Sequence, residues 1–180
     1  MASKKRFLRV LACAGTLAAA MLFTGGAGAN ASGSSAVPPI LVPPPGNELI
    51  ATFAAQGVQV YKCTNGSFVF VEPAANLIGF SPLLDSVQTT IHFRGPSWES
   101  TDDGSLVEAA VVASSPVPGS IAELLLKSTL NRGKGIFGKV TFVQRLKTKG
   151  GLAPVGACTD GQTAGVKYTA EYRFFAPVGV

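Results

Sequence analysis

The chain has 180 residues, 47% hydrophobic and 14% charged, with a net charge of +5. Four of its 15 Lys and Arg and none of its 10 Asp and Glu fall in residues 1–31, so the remainder is close to neutral. That balance argues against nucleic acid as a partner, which demands several cations gathered on one surface.

Residues 1–31 read as a secretory signal peptide. Lys4, Lys5, Arg6 and Arg9 form a basic start, an apolar run follows from Val10 to Phe23, and Ala29-Asn30-Ala31 supplies a small-x-small cleavage signal. The apolar run is shorter than the roughly 18–20 residues that span a bilayer, and no second one follows. No transmembrane segment is therefore expected after cleavage, and the expected location is extracellular or cell wall. Cys13 is poorly placed for lipidation, with few apolar residues before it.

Residues 32–46 form a Pro-rich leader, ending in Val37-Pro-Pro-Ile-Leu-Val-Pro-Pro-Pro-Gly46. Repeated prolines favour an extended polyproline II path, expected to lie along the domain. Residues 47–180 are then a single β-rich domain, long enough for its own core.

Val58–Cys63 and Phe68–Val71 flank Asn65-Gly66, a strong hairpin signal because both turn residues tolerate φ > 0. Pro73, Gly79 and Pro82 break the pattern and predict a polar loop. Thr89–Arg94 alternates with period two, placing Thr89, Ile91 and Phe93 on one face and Thr90, His92 and Arg94 on the other. The spacing puts His92 away from the main apolar core unless that second face is itself covered. Gly95-Pro96 ends the strand and would turn Trp98 back over it.

Leu106–Ala113 is a further strand. Ser120-Ile-Ala-Glu123 has the form of a capping box, and the leucines behind it predict one short helix that stops at Arg132-Gly133. Strands resume at Val140–Arg145. Val166, Tyr168, Ala170, Tyr172 and Phe174 then share one face of the last strand. These elements predict a mainly β fold, a single antiparallel β-sandwich or barrel-like domain with one short helix.

Few motifs carry chemistry. Gly133-Lys-Gly135-Ile-Phe-Gly138 matches a dinucleotide fingerprint, but that requires a strand before and a helix after, the reverse of the predicted order. Arg132, Lys134, Lys139, Arg145, Lys147 and Lys149 read as a solvated loop and strand face. No cofactor is expected. The single His rules out a His-rich zinc site, and Glu99, Asp102 and Asp103 lack the spacing of a calcium loop. Asn65-Gly66-Ser67 is a glycosylation sequon, to be used in a eukaryotic host.

His92, Arg94, Trp98, Glu99 and Asp103 are the candidate ligand-binding set, a Trp platform with polar handles for a small molecule or glycan. No residue is assigned a catalytic role. A hydrolase reading would pair His92 with Glu99 or Asp103 and use Ser97 as nucleophile, but no G-x-S-x-G is present. Of the three cysteines, Cys63 and Cys158 survive signal cleavage, and an even pair in an oxidising compartment reads as one disulfide.

Several segments together carry a resemblance. Pro-Pro-Pro-Gly46, Gly57-Val-Gln-Val-Tyr-Lys-Cys63, His92-x-x-Gly-Pro-x-Trp98, Asp103-Gly-Ser105, Leu124-Leu-Leu126, Phe142-Val-Gln-Arg145 and Gly150-Gly-x-Ala-Pro154…Cys158 occur in that order. The chain resembles the domain-of-unknown-function family 3455, across most of residues 37–175. The resemblance implies an exported protein with no established activity, supports the Cys63–Cys158 pairing and marks the His92–Trp98 turn as a family feature. Ala122-Glu123 departs from it where a Pro-Trp pair is expected, which removes a candidate pocket aromatic. The sequence thus points to a secreted, non-catalytic binding or surface module for a small molecule or glycan. A structural or stress-associated wall protein is the alternative.

Overall fold

The computed structural model describes residues 36–179, and the expected signal peptide lies outside them. Eight antiparallel strands follow one another around a closed barrel: β1 (Asn47–Thr64), β2 (Ser67–Ser81), β3 (Ser86–Phe93), β4 (Ser97–Ser100), β5 (Leu106–Val117), β6 (Ser120–Arg132), β7 (Phe142–Gly150) and β8 (Thr163–Pro177). Each strand pairs with its sequence neighbours, and β8 returns to β1 in a register running from Asn47 opposite Pro177 to Lys62 opposite Thr163. The fold is therefore the barrel form of the expected antiparallel domain.

The β1–β2 hairpin forms where its turn residues require, with Asn65 at φ 53° and Gly66 at φ 75°. The β8 alternation also holds: Tyr168, Ala170, Tyr172 and Phe174 are buried and their neighbours turn outward. Inside the barrel they meet Phe53, Leu77, Trp98, Val107, Leu126 and Val143.

Three expectations are corrected. Residues 120–132 form strand β6, and among the described residues the only helical piece is a 3-10 turn, Pro39–Leu41. The two residues of the expected capping box are used across strands. Ser120 Oγ donates to the Gly150 carbonyl at 3.1 Å, and Glu123 Oε1 accepts the Lys147 N–H at 2.6 Å. The leucine run misleads because both faces of β6 are covered. Leu124 and Leu126 face the barrel core, whereas Leu125 packs outside against Leu41 and Leu146. A strand buried on both sides is apolar without period, as a buried helix is.

The second correction concerns residues 73–82, which are not a loop. β2 runs through Pro73 and Gly79 and ends at Ser81. The third concerns β3: Gln88, Thr90 and His92 face the closed interior, and Ile91 on the opposite face is exposed. Closure covers this second face, that of Thr90 and His92, which is the condition under which His92 joins the interior.

The two ends of the barrel differ. At one end, residues 133–141 fold inward and bury Ile136, Phe137 and Val140 in the core. Burying Phe137 fully contributes about 2–3 kcal/mol. This plug is pinned by hydrogen bonds from Ile136 N–H to Asp103 Oδ2 (2.9 Å) and from Phe137 N–H to Ser105 Oγ (3.0 Å). A Cβ at Gly135 would overlap the Asp103 carboxylate and push it off the hydrogen bonds that hold the plug. The G-x-G-x-x-G residues thus belong to the plug and not to a helix cap.

At the other end, the β7–β8 connection is stitched to the end of β1. Cys63 and Cys158 are disulfide-bonded, with Cα atoms 5.9 Å apart. Cys63 N–H donates to the Gln162 carbonyl at 2.7 Å and Tyr61 OH to the Gly151 carbonyl at 2.5 Å. The leader lies on the outer wall, where Leu41 is fully buried and its carbonyl accepts from Gln144 Nε2 at 2.6 Å.

The bridge spans 95 residues of sequence, and a loop of that size constrains the unfolded chain strongly. The double variant Cys63→Ala/Cys158→Ala is expected to lose about 2–5 kcal/mol in urea unfolding. An unchanged urea midpoint would show that the bridge contributes no stability.

Candidate functional site

His92 and Trp98 are opposite each other across β3 and β4, joined by the Gly95-Pro96 turn. Their rings stack at 4.4 Å between centroids, 3° from parallel, and both lie edge-on to Tyr172. His92 is 3% exposed and Trp98 is 1% exposed. His92 Nδ1–H donates to the Ser97 carbonyl at 2.8 Å, which places the proton of the neutral ring on that nitrogen. Burial pulls the imidazole pKa down to about 3, against the Ser97 hydrogen bond, and the Arg145 charge adds to the lowering. Ser97 Oγ–H is committed to the Arg94 carbonyl at 2.8 Å.

The other residues of the sequence-derived set lie elsewhere. Arg94 stands at the rim of the open end, paired with Glu72 at 3.1 Å. Glu99 pairs with Arg132 at 3.3 Å. Asp103 is at the plugged end, where it also accepts the Ser105 N–H at 2.8 Å. Burial pushes its carboxyl up, but hydrogen bonds from Ser105, Ile136 and Ser100 outweigh that and hold it below the usual range. Among the described residues, no group of three or more His, Cys, Asp or Glu is placed to hold a metal ion. Asn65 is exposed at the tip of the β1–β2 hairpin.

A cup of about 430 Å³ opens at the unplugged end. Its walls include Tyr61, Phe70, Pro73, Pro96, Ile121 and Leu124, with Arg94 at the rim and Gln59 and Arg145 as further polar lining. Ala122, at the position that departs from the family pattern, also lines it. Gln59 is 2% exposed and its Nε2 has no hydrogen-bond partner. The buried phenols of Tyr168 and Tyr172 lie near each other, and Tyr168 lies near Gln59, yet neither hydroxyl has a partner in hydrogen-bond geometry. Burial pushes both phenols up, so they remain protonated donors.

Of these residues, only Arg94 belongs to the set singled out from sequence. Gln59 and Tyr61 share a period-two face with Cys63, and Arg145 shares one with buried Val143. That signal was available, but it carries meaning only once the faces are known to line an interior. Arg145 leaves the solvated basic face expected for it, because β7 turns this side chain inward.

A larger hollow, about 1040 Å³, lies on the outer surface across β7, β8, β1, β2 and β3. It is a saddle in a curved sheet, and two of its charges, Lys147 and Glu171, are paired with each other at 2.7 Å.

The geometry defines an eight-stranded antiparallel barrel, plugged at one end and open at the other into a small, mostly apolar cup. The chain belongs to the family described as "Protein of unknown function (DUF3455)", whose model matches residues 44–176. No curated protein and no solved structure matches the chain. Among the described residues, no helix is long and apolar enough to cross a membrane.

The buried neutral His92 has a consequence for stability. Its pKa falls from 6.5 to about 3 on folding, so below pH 6.5 the unfolded chain binds a proton that the folded chain refuses. Stability is therefore complete above that point and declines as pH falls towards the folded value. The lowered carboxylates Asp103 and Glu171 start from 3.8 and 4.5 and act only at lower pH. In urea unfolding between about pH 6.5 and 5, the wild type should lose stability and His92→Gln should lose markedly less. Equal slopes would mean that His92 titrates normally in the folded state.

Proposed function

We propose that this protein is an exported, non-catalytic binding module that takes up a small molecule in the open end of its barrel. The observation that carries this reading is the buried Gln59 amide, whose Nε2 has no partner and which lines a mostly apolar cup. Leaving a buried donor unpaired costs about 1–3 kcal/mol, and a ligand acceptor would recover it. A concave apolar site with a few polar groups is the usual form of a small-molecule pocket, and about 430 Å³ is within its normal range. Export is supported by the signal-like order of residues 1–31 and by the Cys63–Cys158 bridge.

Other readings draw less support. A sugar platform needs an exposed aromatic face, and Trp98 is 1% exposed. A hydrolase needs a base in reach of its nucleophile, but the Ser97 hydroxyl is bonded to the Arg94 carbonyl and neither Glu99 nor Asp103 is hydrogen-bonded to His92. A wall-structural role is favoured by the stacked, fully packed His92–Trp98 pair, which then serves the core alone.

Backbone amide NMR of the disulfide-bonded protein with a library of small apolar and amphipathic compounds tests the proposal. Shift changes should cluster on Gln59, Tyr61, Gly95, Ile121 and Arg145. Shifts confined to the outer saddle, or no saturable shifts with any compound, would overturn it.

A further inference from the structure

Resting on the cup as a binding site, we propose that its ligand is a small monocarboxylate, bound through its carboxylate to Arg145 with its hydrocarbon or aromatic body against the apolar walls. Arg145 is the cation of the cup that no carboxylate neutralises. The four ion pairs among the described residues join Arg94 to Glu72, Arg132 to Glu99, and Lys147 and Arg173 to Glu171. None includes Arg145. Its Nε–H and one Nη2–H both donate to the Ala122 carbonyl, at 3.0 and 2.9 Å. That fork fixes the plane of the guanidinium but supplies no negative charge, and its remaining N–H donors lie towards the cup and the Tyr172 hydroxyl.

The same charge reaches into the barrel. After burial itself, Arg145 is among the influences on Tyr61, Tyr168 and Tyr172, whose ionisation it favours, and on His92, whose protonation it opposes. This part-buried cation has the Ala122 carbonyl as its hydrogen-bond acceptor and no carboxylate as counter-ion. An arriving carboxylate would supply the missing charge and two charge-assisted hydrogen bonds of matched planar geometry. The unpartnered Gln59 Nε2 lines the same cup and offers a further donor to the same group.

The walls set the rest of the ligand. Tyr61, Phe70, Pro73, Pro96, Ile121 and Leu124 offer carbon surface, so a second ionised group on the ligand would be buried without a partner. That favours one carboxylate over a phosphate dianion, which a single guanidinium leaves half neutralised.

The test compares matched pairs of probes that differ only in the head group: octanoate against octan-1-ol, and 4-phenylbutyrate against 4-phenylbutan-1-ol. Calorimetric titration of the wild-type protein at neutral pH should show each carboxylate binding at least roughly tenfold tighter than its alcohol. Arg145→Met should erase that preference, Arg145→Lys should keep part of it, and Gln59→Leu should reduce it. The wild-type comparison decides the matter even where a variant fails to fold. Alcohols bound as tightly as carboxylates would overturn the carboxylate inference while leaving the cup as a binding site. Failure of all four probes to bind would overturn both.

Discussion

The barrel, its interior and its open cup all depend on the pairing of the first strand with the last. The β1–β8 ladder runs almost the full length of β1 and turns an eight-stranded meander into a closed wall. Closure removes sheet edges, and it also creates an inside. A residue such as Thr90 or His92 would be half solvated on an open sheet. On the closed one it must find its partners within the barrel, or go without. The polar character of one end of the interior, with Gln59, Arg145, Tyr168 and Tyr172 gathered there, follows from that wall.

The fold was legible in the sequence wherever one face of a strand is wet. β8 alternates because Lys167, Thr169 and Glu171 meet solvent while Tyr168, Ala170 and Tyr172 do not. The β1–β2 turn was legible because Asn65-Gly66 has few other uses. Legibility failed where both faces are covered. β6 carries the leader on one side and the core on the other, so Leu124-Leu125-Leu126 holds no period, and Ser120 with Glu123 supplied a false local signal. β2 runs on through Pro73 and Gly79, residues that usually punctuate a chain.

The candidate site was legible in part, for a related reason. The Gly95-Pro96 turn pairs His92 with Trp98 in the sequence, and the structure stacks their rings in the core. Glu99 and Asp103 follow closely in sequence, yet strand alternation turns Glu99 away from the buried Trp98 and the chain carries Asp103 on to the plugged end. Asp103 pins the plug, Arg94 edges the mouth, and Glu99 pairs with Arg132. Gln59 and Arg145 are brought to one cup by strands β1 and β7, which are not sequence neighbours. No pattern local to either strand could have joined them.

The order in which the wall closes has its own consequence for how the chain is made. β1 is among the first segments of the domain to emerge and β8 the last, so the edge of β1 must wait for nearly the whole domain before its partner exists. Folding with so many distant pairings is intrinsically slow. Through that interval, β1 presents an unpaired row of N–H and C=O groups, the kind of template that recruits other chains. Lys62, Gln56 and Glu48 punctuate its outer face, where charge and polarity discourage premature neighbours.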